Sequence, residues 1–218
     1  MANNMEVCQG MFVRDCMTLK PVTLRPDSDP LAGVAICKGG GFRHLPVVDT
    51  EGRVVGVVSR ADLELFLSKA NSPGVMKRQH RVDQVNIREM PPVQPDCPLE
   101  VAANLMVEHK TSCLPVVKDG HLVGVVTETD LFKALLEVFS GQRKGIRLTA
   151  LTSNLKGTLG VISTAIAEVR GDILSINVFK GTAPDNRGLT LKVAGVSREE
   201  LIKAVEPMVL EILDVRVI

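Results

Sequence analysis

Tryptophan and tyrosine are absent from this sequence, and aromatic residues make up only 3% of its 218 residues. Proteins that hold single-stranded nucleic acid usually stack its bases on aromatic side chains, so this class of binding is not expected. The net charge is also small, +1 at pH 7. Without an excess of basic residues, binding to a nucleic-acid backbone or to an acidic membrane surface is not favoured.

Long apolar runs and paired cysteines are lacking as well. No run of eighteen apolar residues occurs, and the N-terminal residues show no basic segment followed by an apolar core. The sequence therefore predicts neither a membrane-spanning helix nor a secretory signal. The five cysteines are scattered, and none lies at metal-ligand spacing from another cysteine or from a histidine. These features favour a cytoplasmic protein with reduced, buried cysteines and no metal site.

An internal repeat is the strongest pattern in the chain. LPVVDTEGRVVGVVSRADL begins at Leu45, and LPVVKDGHLVGVVTETDL begins at Leu114. In each copy two valine-rich runs flank a turn, which predicts a β-hairpin, and a helical pattern follows. A strand and a helix are also predicted before each hairpin. In the first copy that helix, over AICK, is expected to be short and frayed because Gly33 and three consecutive glycines disfavour it. Each copy is too small to bury a good core alone, so the two are expected to pack together.

Each hairpin ends in a hydroxyl residue that is followed three places later by aspartate. These pairs are Ser59 with Asp62 and Thr127 with Asp130. One interpretation is structural, since such a pair can cap a helix N-terminus. The other is a nucleotide site: helix N–H groups and a hydroxyl suit a phosphate, and a carboxylate can accept hydrogen bonds from both ribose hydroxyls. Two features favour the second interpretation. The usual capping-box residue is Glu or Gln, which can reach back to the cap, whereas both copies use the shorter aspartate. A glycine in the preceding strand also allows another group to approach the backbone closely.

The repeated residues resemble a pair of cystathionine-beta-synthase (CBS) domains. The first is carried by VRDCMTLKPVTLRPD and GFRHLPVVDTEGRVVGVVSRADL, and the second by IREMPPVQPD and TSCLPVVKDGHLVGVVTETDL. Such domains usually associate as a disc with clefts between them. The resemblance implies that one or both clefts bind an adenine nucleotide, AMP, ADP or ATP, with the aspartates holding the ribose and the hydroxyls near the phosphate. With the charged residues beside the first motif, the predicted nucleotide-binding residues are Thr23, Arg43, His44, Leu45, Pro46, Val58, Ser59, Arg60, Asp62, Leu114, Pro115, Val126, Thr127 and Asp130.

The two sites are not expected to be equal. Side chains suited to phosphate lie near the first motif, namely Arg43, His44 and Arg60. The corresponding places in the second copy hold Ser112, Cys113 and Glu128. We therefore predict the better phosphate site beside Asp62. S-adenosylmethionine remains possible at the second site, where Glu128 would tolerate a cation. Which flanking segment serves which aspartate stays open.

The C-terminal third changes pattern to the order βαββαβ, which is typical of a ferredoxin-like plait. Asn154 and Ser197 are predicted to cap its two helices. This third resembles an ACT domain, a small ligand-sensing module of amino-acid metabolism. The resemblance would place an effector at Asn154, Leu155, Gly157 and Leu159. The alternative is that these residues only cap and pack a helix and that the domain only dimerises.

The complete chain is thus expected to have an α/β (α+β) fold in six segments. These are an N-terminal segment 1–12, CBS domains 13–70 and 85–140, linkers 71–84 and 141–145, and an ACT-like domain 146–218. The order and spacing resemble the acetoin-utilisation protein B family of small bacterial regulators. No G-x-S-x-G, H-E-x-x-H or G-K-[ST] motif occurs, so an enzyme is not expected.

The sequence therefore predicts a regulatory homodimer whose partner is a small-molecule nucleotide, and it specifies no protein partner. An assembly protein whose motifs are only helix caps, and an enzyme acting on a nucleotide, are the alternatives.

Overall fold

The computed structural model describes residues 11–70 and 80–218. The chain divides into two compact units, Met1–Ala134 and Leu135–Ile218. The helices are α1 Val13–Cys16, α2 Pro30–Gly40, α3 Arg60–Ala70, α4 Leu99–Glu108, α5 Glu128–Val138, α6 Thr158–Glu168 and α7 Arg198–Val205. The strands are β1 Thr18–Leu19, β2 His44–Val48, β3 Val54–Ser59, β4 Cys113–Lys118, β5 His121–Thr127, β6 Ile146–Ser153, β7 Asp172–Lys180, β8 Asn186–Ala194 and β9 Glu211–Val217. The fold is α+β, as predicted.

Each copy of the repeat forms the predicted antiparallel hairpin. β2 pairs with β3 in the first copy, and β4 pairs with β5 in the second. Valine and leucine alternate into a core on one side of each hairpin, where Leu45 and Leu114 are almost completely buried. Burial of side chains of this size contributes about 1.5–3 kcal/mol each, which makes the two hairpins the centres of their copies.

The segments that precede the two copies cross over to the opposite hairpin. β1 pairs antiparallel with β5, with Thr18 opposite Val125. Arg88 exchanges both backbone hydrogen bonds with Val57 of β3, at 2.9 and 3.0 Å. Among the described residues, the strand predicted at the start of each copy is reduced to a single parallel bridge with its own hairpin, as at Leu24 and Val47. The prediction of a regular first strand is therefore wrong, because its backbone partners are divided between two hairpins.

The first helix of the first copy, α2, is longer than predicted. Asp29 caps it, accepting a hydrogen bond from the Leu31 N–H at 2.9 Å, and Pro30 follows at the first helical position. Gly41 ends the helix in the left-handed conformation at φ +68°. At Gly33 a Cβ atom would lie only 2.9 Å from the Leu24 side chain, so the absence of a side chain permits close packing there. The expectation of a short, frayed helix is wrong because capping and packing outweigh the poor propensity of glycine.

The second unit is a four-stranded antiparallel sheet in the order β7-β8-β6-β9, with α6 and α7 packed on one face. Its βαββαβ order is the predicted ferredoxin-like plait. The predicted capping box of α7 is present, with Ser197 and Glu200 bonding each other's backbone N–H. The predicted Asn154 cap is wrong: α6 begins after Gly157 at φ +87°, and the Asn154 side-chain amide donates to the Pro184 carbonyl at 3.2 Å.

Within the described ranges, no helix is long and apolar enough to cross a membrane. The same residues contain no group of three or more side chains placed to hold a metal ion. The four cysteines described there carry free thiols, and Cys8 lies outside the described residues.

Candidate functional site

In both repeated motifs the hydroxyl donates to Oδ2 of the aspartate, but the backbone hydrogen bonds differ. Ser59 ends β3, and its hydroxyl donates to Asp62 Oδ2 at 2.5 Å and accepts from the Asp62 N–H at 3.0 Å. Thr127 ends β5, and both its hydroxyl and its N–H donate to Asp130 Oδ2, at 2.7 and 2.9 Å. Aspartate therefore does reach back to the cap in the second copy, and the prediction that only a longer side chain would do so is wrong there. In the described part of the chain no hydrogen bond engages Oδ1 of either aspartate, so each carboxylate keeps an acceptor for another group.

The first cleft, of about 340 Å³, lies beside Ser59 at the start of α3. Both halves of the first unit contribute to its wall, which is formed by Arg43, His44, Val57, Ser59, Arg60, Ala61, Glu64, Arg88, Met90, Lys110, Thr111 and Ser112. Four of these residues are cationic and one is acidic. The acidic residue, Glu64, forms an ion pair with Lys38 at 3.3 Å. The lining therefore carries a positive charge that suits an anionic ligand.

The Asp62 carboxylate lies directly behind this wall. It is bonded to Ser59, and Arg88 Nε lies 3.8 Å from its Oδ2. The crossing segment thus carries a guanidinium to the motif of the opposite copy. A carboxylate and a guanidinium side by side offer one partner for ribose hydroxyls and one for a phosphate.

The second cleft, of about 300 Å³, lies beside Thr127 at the start of α5. Its wall is formed by Thr18, Lys20, Pro21, Val22, Gly41, Phe42, Arg43, His44, Leu45, Pro46, Cys113, Val125, Thr127, Thr129 and Asp130. Two of these residues are cationic and one is acidic. Burial raises the pKa of the Cys113 thiol to about 12, so this part of the wall is neutral. The second cleft is therefore less basic and more apolar than the first.

His44 lies in the lining of both clefts. Its Nε2 is 3.4 Å from the Ser112 hydroxyl. Burial lowers the pKa of His44, the guanidinium groups of Arg43 and Arg88 lower it further, and Glu128 and Asp62 oppose them. The imidazole is therefore held neutral near pH 7 and acts there as a hydrogen-bonding group.

Most of the predicted nucleotide-binding residues reach a cleft. Those in a cleft wall are Arg43, His44, Leu45, Pro46, Ser59, Arg60, Thr127 and Asp130. Val58, Val126 and Leu114 are fully buried in the hydrophobic cores instead. Thr23, Pro115 and Asp62 lie in neither wall, although Asp62 is bonded to the wall residue Ser59. Pro21 and Val22 line the second cleft in the place expected for Thr23.

Among the side chains of the first cleft that sequence reasoning missed are Arg88, Met90 and Lys110. Arg88 and Met90 lie outside the repeated motif, on the crossing segment. Lys110 could have been found, because it occupies the repeat position of Gly41, a position that must adopt positive φ in both copies. A lysine at a repeat position that favours glycine is the sequence feature that would have indicated a functional residue here.

In the second unit, the four residues predicted for an effector line one shallow cleft. Asn154, Leu155, Gly157 and Leu159 share it with Val178 and Arg187, and its volume is about 250 Å³. Leu155 is 75% exposed, so it contributes apolar surface at the rim rather than a buried wall.

Comparison with known proteins identifies the first unit. The CBS domain family model matches residues 13–69 and 82–137. A solved structure of a protein assigned to acetoin utilization (AcuB) from Vibrio cholerae superposes with a TM-score of 0.52 at 26% identity, covering 60% of this chain and 94% of that one. The CBS domain-containing protein YhcV of Bacillus subtilis is 28% identical over 140 residues, covering 64% of this chain and 94% of YhcV.

CBS pairs also occur inside larger proteins. The A-adding tRNA nucleotidyltransferase of Aquifex aeolicus is 29% identical over 126 residues, and the chain spans only 14% of that enzyme's length. The two family matches contain both hairpins, both Ser/Thr-x-x-Asp motifs and both clefts, and together they span more than half of the sequence. The chain therefore belongs to the CBS-domain family.

Proposed function

We propose that this chain is a regulatory protein whose tandem CBS clefts bind an adenine nucleotide, AMP, ADP or ATP. Tandem CBS pairs are ligand-binding regulatory modules. The observation that carries the proposal is the repeated placement of a carboxylate and a hydroxyl at a helix N-terminus that borders a cleft. Asp62 and Asp130 each keep an open carboxylate oxygen beside such a helix start. This arrangement offers separate partners to a ribose and to a phosphate.

In this proposal each carboxylate accepts hydrogen bonds from the ribose hydroxyls. The phosphate then lies toward the hydroxyl residue and the first N–H groups of α3 or α5, where the helix dipole favours negative charge. Apolar wall residues such as Met90 in the first cleft and Val22 in the second are available to the base. Arg60 and Arg88 make the first cleft the better phosphate site.

Regulation would follow from the way each cleft is assembled. A ligand in the first cleft contacts Arg60 from the first copy and Lys110 from the second, so its affinity depends on how the two copies are placed. A nucleotide that prefers one placement shifts the population toward it, whereas one that binds all placements equally regulates nothing. We propose that the second unit is an ACT domain that forms a homodimer or binds a second small ligand at Asn154 and Gly157.

Replacing each motif aspartate by asparagine tests the proposal. Asp62→Asn removes the charge but keeps the size, so nucleotide affinity at the first cleft should fall by about ten- to a hundredfold. Asp130→Asn should do the same at the second cleft. Asp29→Asn is the matched control, because Asp29 also caps a helix but lies in neither cleft. Each variant is titrated calorimetrically with AMP, ADP, ATP and S-adenosylmethionine, and its unfolding in urea is followed.

The alternatives give different results. If none of the four compounds binds and Asp62→Asn only lowers stability by about 1 kcal/mol, the motifs are helix caps and the protein serves assembly. Release of a chemically altered nucleotide would indicate an enzyme. Because the chain lacks Trp and Tyr, the ultraviolet spectrum of the purified protein directly reveals an adenine ligand retained from the cell.

S-adenosylmethionine is the second candidate for the second cleft. That cleft has two cationic residues against the four of the first, and its own carboxylate, Asp130, lies in the wall. A positively charged sulfonium is therefore tolerated better there than in the first cleft. Tighter binding of S-adenosylmethionine than of ATP in Asp62→Asn would support this assignment.

A further inference from the structure

We infer that the first cleft selects nucleotides with two or three phosphates over monophosphates, and that Lys110 determines this specificity. The inference rests on the proposed function, since it concerns the ligand class of the same cleft. It depends on three observations: the number of cations in the wall, their origin in both copies, and the backbone conformation of Lys110.

The first observation is that the cations exceed what one phosphate needs. Arg43, Arg60, Arg88 and Lys110 all line the first cleft. A monophosphate is satisfied by the hydroxyl, the start of α3 and one or two of these groups, which would leave the remaining cations close together without a counter-charge. Each further phosphate supplies a negative charge and more acceptor oxygens for them.

Nearby acidic groups leave most of this charge uncancelled. Glu128 acts on His44 of the same wall, but it is not a wall residue and forms no ion pair with the cations of the described wall. Glu64 is the only acidic residue of the described wall, and its carboxylate is paired with Lys38. The Asp62 carboxylate lies 3.8 Å from Arg88 Nε, so its negative charge offsets that of Arg88 alone. Arg43, Arg60 and Lys110 form no ion pair with any described residue. Three cations thus remain available to a polyphosphate.

The second observation is that these cations come from both halves of the first unit. Arg43 and Arg60 belong to the first copy and are joined by a backbone hydrogen bond of 2.9 Å from the Arg60 N–H to the Arg43 carbonyl. Arg88 and Lys110 belong to the second half of the unit. Arg88 already lies beside Asp62 at the start of α3, and a phosphate chain that extends from there engages more of the cations that the two halves supply.

The third observation is that Lys110 occupies a backbone position that favours glycine. Its φ is +49°, and the equivalent Gly41 of the first copy has φ +68°. For a residue with a Cβ this conformation costs about 1 kcal/mol or more, which glycine avoids. The backbone is held there because the Thr111 N–H bonds the Met106 carbonyl at 2.9 Å. A lysine that is kept at this strained position in a cationic wall indicates that its charge contributes to ligand binding.

The test compares Lys110→Gly with the protein that keeps Lys110, both carrying Asp130→Asn. That substitution weakens the second cleft, so that the first cleft accounts for most of the binding. AMP, ADP and ATP are titrated calorimetrically in magnesium-free buffer, which leaves the phosphate charges uncompensated. We expect ATP to bind at least about tenfold more tightly than AMP, and Lys110→Gly to reduce this ratio by about three- to tenfold. Affinity for AMP should change by less than about twofold.

Arg170→Gly is the matched control. Arg170 is also a cation at positive φ (+61°), and it lies in the second unit, outside both clefts. It should leave the ratio of ATP to AMP affinity unchanged. Lys110→Gly should unfold at the same or a higher urea concentration than the parent, because glycine relieves the strained backbone, so lost binding cannot be attributed to lost folding.

The outcomes separate the two proposals. If AMP and ATP bind equally well, or if Lys110→Gly weakens both to the same extent or neither, the inference is overturned while nucleotide binding stands. If no adenine nucleotide binds to the parent protein, the proposed function fails, and this inference fails with it.

Discussion

His44 shows how one residue can report on both clefts. It lines each of them and contacts Ser112 of the second copy at 3.4 Å. Burial, followed by the charges of Arg43 and Arg88, lowers the pKa of its imidazole. The folded protein therefore binds the His44 proton only at a lower pH than the unfolded chain does. The free energy of unfolding must fall as the pH falls from about 6.5 through the depressed folded pKa.

His44→Gln should flatten this pH dependence. Glutamine keeps a hydrogen-bonding side chain near Ser112 but takes up no proton, so the variant should lose less stability than the parent between pH 7 and pH 5. Urea unfolding at several pH values measures the effect. Parallel curves for parent and variant would show that His44 contributes nothing to the acid sensitivity of the fold.

At the scale of elements, the repeated glycine of each hairpin serves the crossing segments. A Cβ atom at Gly56 would lie 2.6 Å from the Arg88 carbonyl oxygen, and one at Gly124 would lie 2.9 Å from Met17 Sδ and 3.0 Å from the Thr18 carbonyl oxygen. The repeated glycine predicted that some group approaches the strand closely. In both copies that group is the segment that crosses over from the other half of the first unit. The same contact holds Arg88 beside the first motif.

Gly56→Ala should therefore destabilise the protein by about 1–3 kcal/mol, because the backbone at Arg88 cannot yield as a flexible side chain would. It should also weaken nucleotide binding by displacing Arg88. Urea unfolding and calorimetric titration test the two effects.

Gly39→Ala provides the comparison. Gly39 lies in α2, and a Cβ atom added to it would meet no atom of the described neighbours within 4 Å. Alanine there should stabilise the helix by about 0.5–1 kcal/mol, because it lacks the conformational freedom that glycine loses on folding. An equal response of the two variants would mean that the approach of the crossing segment to β3 is not tightly constrained.

At the scale of the whole molecule, a ligand in the first cleft would connect segments far apart in sequence. Its wall is built from residues 43–44, 57–64, 88–90 and 110–112. Binding to the folded state alone adds about 2.7 kcal/mol of stability at a ligand concentration of one hundred times Kd. That stabilisation should be distributed over both copies, because both contribute to the wall.

Hydrogen exchange with and without ATP should therefore show new protection in all four segments together. The Asp62→Asn variant should lose the protection in all four, while Asp29→Asn keeps it. Protection confined to residues 57–64 would mean that the ligand contacts the first copy alone and does not link the copies.

Local patterns in the sequence were sufficient for much of this architecture. The two hairpins, the helix starts after Ser59 and Thr127, the Ser197 capping box and the βαββαβ order all depend on side-chain periodicity and on caps that act over three or four residues. The repeated motif also indicated its carboxylates without knowledge of the fold. These features are short-range, so a single sequence contains their causes.

The tertiary structure alone decided which segment serves which cleft. β1 has only two residues and no readable periodicity, and its partner strand is more than a hundred positions away. Arg88 and Lys110 meet the other wall residues of the first cleft across separations of tens of positions, as in the pairing of Arg88 with Val57. Helix α2 keeps its length through close packing at Gly33, although its glycine content disfavours a helix. The sequence by itself thus determined the motifs and the hairpins that carry them. The crossing of each preceding segment to the opposite hairpin depends on backbone pairing between distant residues, which leaves no local pattern. This crossing also decides which charged side chains line each cleft.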